Sequence, residues 1–207
     1  MTICISGASG LVGNEILIQL LNDSRTDKVL VLARNPLGFG HAKMQVVIVP
    51  FDQLEQLDVA EKIDVGFCAL GTTLKKAGSK ARQQEIDRDY VVSFANFCKN
   101  AGVEKIGVVS SIGANEKSSN FYLRTKGEME QGVNQLNIPV TVFIRPSFLI
   151  GPRKEKRPGE KLIQGLLVVL GPLFLGKAKK YRGIHVSKVA KKLIEATLSE
   201  TKGTHYI

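Results

Sequence analysis

The stretch that decides the fold is Thr2-Ile3-Cys4-Ile5-Ser6-Gly7-Ala8-Ser9-Gly10-Leu11-Val12-Gly13. A short apolar run enters a glycine-rich loop, and apolar residues then recur at helical spacing over residues 11–21. Such a run suits a buried strand, and the periodicity suits a helix that covers it. Gly7 allows a tight turn out of the strand, Gly10 removes a side chain from the outer face of the loop, and Gly13 lets the helix lie close to the sheet. The opening amides of such a helix carry the positive end of its dipole and are suited to bind phosphate. Three glycines alone are a weak signal. Their place between a strand and an amphipathic helix gives the context the motif requires.

Outward from this loop the pattern repeats. Apolar runs at 29–33, 46–49, 65–70, 106–109 and 140–144 read as further strands. Helices are expected over 82–100, stopped by Gly102; over 121–136, ended by Asn137 and Pro139; and over about 187–199. Alternation of this order predicts an α/β fold: a Rossmann-like, doubly wound parallel sheet flanked by helices. All 207 residues fit one domain, with 153–183 as a small substrate-side segment.

The loop implies a dinucleotide, with Gly7, Ser9, Gly10, Leu11, Val12 and Gly13 around its phosphates. Sites for NAD usually place a carboxylate at the end of the second strand, where it accepts from a ribose hydroxyl. Here that strand ends Val31-Leu32-Ala33-Arg34. A guanidinium there suits a 2′-phosphate, so NADP(H) is expected over NAD(H). Asp52, after the third strand, is expected beside the adenine. Leu70, Gly71 and Thr72 close the fourth strand along the cofactor.

Ser110 and Ser111 end the strand Val108-Val109, and Tyr122 and Lys126 follow four apart on one face of a helix. Transfer of a hydride to a carbonyl leaves an alkoxide that needs a proton. Tyr122 can donate it, and a lysine one turn on stabilises the phenolate left behind. Lys126 can also hold ribose hydroxyls, and Ser111 can polarise the carbonyl. Positioned proton transfer of this kind contributes about 10²–10⁴ in rate. Tyr-x-x-x-Lys is common by chance; its meaning comes from the strand-ending serine and the phosphate loop upstream.

These residues resemble the short-chain dehydrogenase/reductase superfamily, in its atypical or extended branch. Within that branch the chain is similar to the Tat-interactive-protein-like oxidoreductases. The resemblance rests on Cys68-Ala69-Leu70-Gly71-Thr72-Thr73, Asp87-Arg88-Asp89-Tyr90-Val91, Ser118-Ser119-Asn120-Phe121-Tyr122, Arg145-Pro146 and Arg157-Pro158-Gly159-Glu160. It implies NADP(H) at the three glycines and Ser-Tyr-Lys chemistry at Ser111, Tyr122 and Lys126. Ser110 competes for the serine role, with Ser111 favoured and Ser110 beside the cofactor. Residues 145–148, Pro146 among them, are implied on the nicotinamide side. Asp89 is implied where the family's helix asparagine stands.

The remaining composition bounds the partners. Lys plus Arg number 29 against 19 acids, a formal charge of +10, which favours an anionic partner. Basic stretches at 153–157 and 177–182 lack interleaved aromatics other than Tyr181, so nucleic acid is not expected. Cys4, Cys68 and Cys98 read as reduced core thiols of a cytoplasmic protein. No metal site is expected, and His185 reads as a cap or packing residue before the last helix. The longest apolar stretch, 162–175, is too short and too interrupted to span a membrane. Apolar Phe148, Leu149, Leu166 and Leu167 are candidates to shape the substrate pocket. The helices flanking the sheet leave room for a homodimer. Two functions fit: an NADP(H)-dependent oxidoreductase acting on a small carbonyl or alcohol, or a non-catalytic NADP(H) sensor that binds a partner.

Overall fold

The structure, a computed structural model, describes residues 1–57, 59, 61–151 and 183–207. Chain order is β1 (Thr2–Ser6), α1 (Leu11–Asn22), β2 (Lys28–Ala33), β3 (Met44–Ile48), a 3-10 turn (Phe51–Gln56) and β4 (Val65–Cys68). Then come α2 (Leu74–Ala77), α3 (Lys80–Gln84), a widened π turn (Glu85–Asp89), α4 (Tyr90–Asn100), β5 (Lys105–Val109) and α5 (Phe121–Asn134). The described chain closes with β6 (Val140–Ile144), β7 (Leu149–Ile150), β8 (Ile184–His185), α6 (Val186–Ser199) and β9 (Gly203–Tyr206).

Seven strands form one sheet in the order β3-β2-β1-β4-β5-β6-β9, every neighbouring pair parallel. This is the Rossmann-like sheet expected from the sequence. Successive side chains along a strand point to opposite faces, which splits the core in two. Ile3 and Ile5 of β1 pack with Ile16 and Leu17 of α1 and with Val189 and Leu193 of α6. Cys4 joins Phe94 of α4, Met129 of α5 and Phe143 of β6 on the other face. Both faces of the central strands are therefore covered, which explains runs such as Val65–Cys68 with no polar residue. The chain leaves β1 toward β2 on one side, while β4 lies on the other. The carboxyl ends of β1 and β4 thus bound the crevice where ligands bind in such sheets.

Four local features depart from the expected elements. The helix expected over 82–100 is interrupted by the π turn, and two short helices precede it. β4 stops at Cys68, so Ala69 and Leu70 belong to the loop. β9 adds an edge strand beside β6. β7 and β8 pair in a separate small sheet, joined further by Ile184 N–H donating to the Phe148 carbonyl. His185 caps α6, its ring accepting from the Ser187 amide. Of the expected substrate-side segment 153–183, only Gly183 is among the described residues; Leu166, Leu167 and both basic stretches lie outside them. Among the described residues no helix is long and apolar enough to cross a membrane.

Candidate functional site

Gly7 leaves β1 with φ of +79°, a conformation that L side chains rarely adopt. A Cβ there would lie 2.5 Å from the Ala69 carbonyl, so Gly7 also lets the loops after β1 and β4 touch. The Gly10 amide donates to the Gly7 carbonyl at 2.9 Å and closes the turn. A Cβ on Gly13 would fall 2.1 Å from that same carbonyl, so α1 starts hard against the loop. Gly10 is the N-cap of α1, with no side-chain cap and no acid in the first turn. The first amides of the helix are thus left for an outside acceptor. Ser9 and Gly10 are exposed; Val12 and Gly13 are buried and can offer only main chain.

Arg34 follows β2, exposed and without an ion-pair partner among the described residues. Asp52 is exposed on the 3-10 turn after β3. Gly71 is exposed beyond β4, between half-buried Leu70 and Thr72. These residues all follow the carboxyl ends of β2, β3 and β4, the edge of the sheet that Gly7 opens.

Lys126 comes up beneath Gly71. Its ammonium is 3.8 Å from where a Gly71 Cβ would stand, and its side chain is only 4% exposed. The counter-ion is Asp87, fully buried, at 3.6 Å. Asp87 also accepts from the Thr72 amide at 2.9 Å and from Gln83 Nε2 at 3.2 Å. The aspartate in the π turn that reaches the lysine is therefore Asp87. Asp89, implied where the family's helix asparagine stands, accepts from its neighbour Arg88. The widened turn explains the difference, because inserting one residue into a helical turn rotates the side chains that follow it.

Tyr122 stands one turn before Lys126 on α5 and is 37% exposed. Ser110 and Ser111 are clearly distinguished. Ser110 is buried and donates to Glu130 Oε1 at 2.5 Å. Ser111 is half-buried, and its hydroxyl makes only a 3.4 Å contact with the next carbonyl. Pro146 is buried at the end of β6 and accepts from the Ile112 amide, tying the two strand ends together.

One constellation was not foreseen. Glu130, one turn beyond Lys126, receives Arg145 in a fork: Nε on Oε1 at 2.9 Å and Nη2 on Oε2 at 2.5 Å. The Arg145 guanidinium lies 4.2 Å from the centre of the Tyr206 ring. A solvent-open cleft of about 460 Å³ borders Glu130, Arg145 and Tyr206. The sequence signal was present: Tyr122, Lys126 and Glu130 repeat at intervals of four, which puts them on one helix face.

A family model described as NAD(P)H-binding matches residues 7–165, from the first glycine of the loop through α5 and β6. The chain belongs to this NAD(P)H-binding family. Among its relatives is rat Protein HTATIP2, 37% identical over 165 residues, which cover 78% of this chain and 68% of that protein. Protein FMP52, mitochondrial, of Debaryomyces hansenii is 33% identical over 209 residues, covering 98% and 92%. Solved structures share the fold at lower identity. MoeE5, in complex with UDP-glucose and NAD, superposes with a TM-score of 0.75 at 17% identity, covering all of this chain and 75% of that one. WbmH of Bordetella bronchiseptica, in complex with NAD+, gives 0.74 at 14% identity, with the same coverage. The family model and the HTATIP2 relative bear out the resemblance drawn from the motifs, to an atypical short-chain dehydrogenase/reductase-like NAD(P)-binding protein, and the solved structures share its fold. The expected cytoplasmic location is overturned, because the fungal relatives carry mitochondrial in their names.

Proposed function

We propose that this protein is an NADP(H)-dependent oxidoreductase of the short-chain dehydrogenase/reductase type, acting on a small carbonyl or alcohol. The observation that carries the reading is Lys126: an ammonium buried at the carboxyl end of β4, one turn from a half-exposed Tyr122. A buried lysine is expensive to keep, and stability alone does not ask for it there. The dinucleotide fits what the chain offers: amides at α1 with no side-chain cap from Gly10, glycines that keep Cβ atoms out of the loop, and an exposed Arg34 for a 2′-phosphate.

When bound, the nicotinamide cofactor supplies or accepts the hydride. Tyr122 gives its phenolic proton to the carbonyl oxygen in reduction and takes it back in oxidation. Lys126 stabilises the phenolate and holds the ribose hydroxyls. Ser111, with its hydroxyl free of the Glu130 network, hydrogen-bonds the carbonyl oxygen. Ser110, already committed to Glu130, supports the strand end. Asp52, Leu70, Gly71, Thr72 and Pro146 complete the cofactor rim.

The test is a panel of aldehydes and ketones with NADPH, run beside Tyr122→Phe. Turnover by the wild type that falls at least about a hundredfold in the variant supports the enzyme. NADPH binding with no turnover on any member of the panel supports the rival, a non-catalytic sensor. For location, the mitochondrial address in the fungal relatives' names is the one carried over, and organelle fractionation checks it.

A further inference from the structure

Glu130 is joined to three elements at once. It belongs to α5, it holds Ser110 directly after β5, and it holds Arg145 directly after β6. Its side chain is only 5% exposed, so a carboxylate there depends on these partners. The Arg145 fork fixes direction as well as distance. Arg145 is held in turn from the edge strand: its guanidinium covers Tyr206, whose hydroxyl accepts from Asn134 Nδ2 at 3.0 Å. Thr204 Oγ1 donates to the Oδ1 of the same Asn134, also at 3.0 Å.

The elements joined are those that carry the proposed chemistry. Ser111 follows Ser110, and Tyr122 and Lys126 lie on the Glu130 face of α5. One peptide joins Ser110 to Ser111, so holding Ser110 to α5 also fixes the backbone that carries the Ser111 hydroxyl. We propose that Glu130 is a positioning residue, which sets the serine end of β5 against the tyrosine–lysine face of α5. This inference rests on the oxidoreductase reading. Buried ion pairs contribute little net stability against apolar residues of the same size, and their best-attested use is to fix one register or arrangement. An error of an ångström in such an arrangement costs about a hundredfold in rate.

Glu130→Gln keeps the volume and removes the charge and one acceptor. Ser110→Ala removes one ligand and leaves the ion pair, and it decides the matter if the first variant does not fold. The kcat and KM on the best carbonyl, the Kd for NADPH and amide hydrogen exchange are measured for both. The expected result for Glu130→Gln is a kcat lowered about thirtyfold with the NADPH Kd within about twofold. Exchange should quicken about tenfold at the Ser110 and Ile112 amides, which bond to the Ile144 and Pro146 carbonyls, and stay unchanged at Ile16 and Leu20 of α1. Ser110→Ala should move kcat and local exchange in the same direction by about threefold to tenfold. Unchanged kcat and exchange would overturn the proposal. So would a uniform rise in exchange with loss of NADPH binding, because that marks a general stabilising role. If the wild type turns over nothing, the oxidoreductase reading fails by itself. Local exchange then decides whether Glu130 sets the strand ends: quickening confined to Ser110 and Ile112 upholds that role, and its absence removes it.

Discussion

Arg34 stands after β2 where a carboxylate would accept from a ribose hydroxyl, and it has no ion-pair partner among the described residues. A charged hydrogen bond of the kind proposed to a 2′-phosphate contributes about 1.5–3 kcal/mol. Arg34→Ala is therefore expected to weaken NADPH binding by about 10- to 100-fold and leave NADH within about twofold, read by fluorescence titration. Equal weakening of both would remove the assigned role. Asp87 allows a second contrast. It is the buried counter-ion of Lys126 and also satisfies the Thr72 amide. Removing one member of a buried pair strands the other, so Asp87→Ala should cost about 3–5 kcal/mol in urea unfolding. Asp89→Ala, which loses only a half-exposed contact to Arg88, should stay within about 1 kcal/mol. The resemblance places Asp89 at the family's helix asparagine and names no counter-ion for Lys126. The run Asp87-Arg88-Asp89 did not disclose which carboxylate turns inward, because a π turn changes the angle between successive side chains.

At the scale of elements, α5 carries Tyr122, Lys126 and Glu130, and its seat on the loop before it fixes all three. That seat is Gly127. A Cβ there would fall 2.1 Å from the Glu116 amide nitrogen and 2.2 Å from the Asn115 carbonyl carbon. Main-chain atoms cannot yield as the end of a flexible side chain can. Gly127→Ala should therefore destabilise by about 1–3 kcal/mol despite alanine's better helix propensity. An unchanged urea midpoint would show that the helix has room to shift. The long strands and helices were legible because their apolar residues keep a period. The boundaries were less so: the helix expected to 136 ends at Asn134, and β4 is two residues shorter than its apolar run. β7, β8 and β9 were missed. β7 and β8 have two residues each, and β9 is a largely exposed edge strand whose pairing with β6 the sequence gives no local reason to expect.

At the scale of the molecule, the two-faced core makes a chemical prediction. Cys4, Cys68 and Cys98 are free and buried. Burial pushes all three thiols above their ordinary range, and the neighbouring thiols add to this at Cys4 and Cys98. Since the thiolate is the nucleophile, none should react with iodoacetamide in the native protein at about pH 8, and all three should react in urea, as counted by mass spectrometry. Labelling of the native protein at any one of them would mean that the core opens on the timescale of the reaction.

The order of apolar runs and the glycine spacing at residues 7, 10 and 13 determined the doubly wound sheet and its glycine-rich loop. Both are local matters: a strand is recognised by its own residues, and a tight turn needs glycine wherever it occurs. The same is true of Tyr122 and Lys126, whose spacing places them on one helix face. Only the tertiary structure decided which groups these residues meet. It brought Asp87 to Lys126 across 39 positions of sequence, gave Ser110 rather than Ser111 to Glu130, and set Arg145 between Glu130 and Tyr206. Periodicity tells which way a side chain faces; what lies opposite depends on how separate elements pack, and neither element encodes that alone.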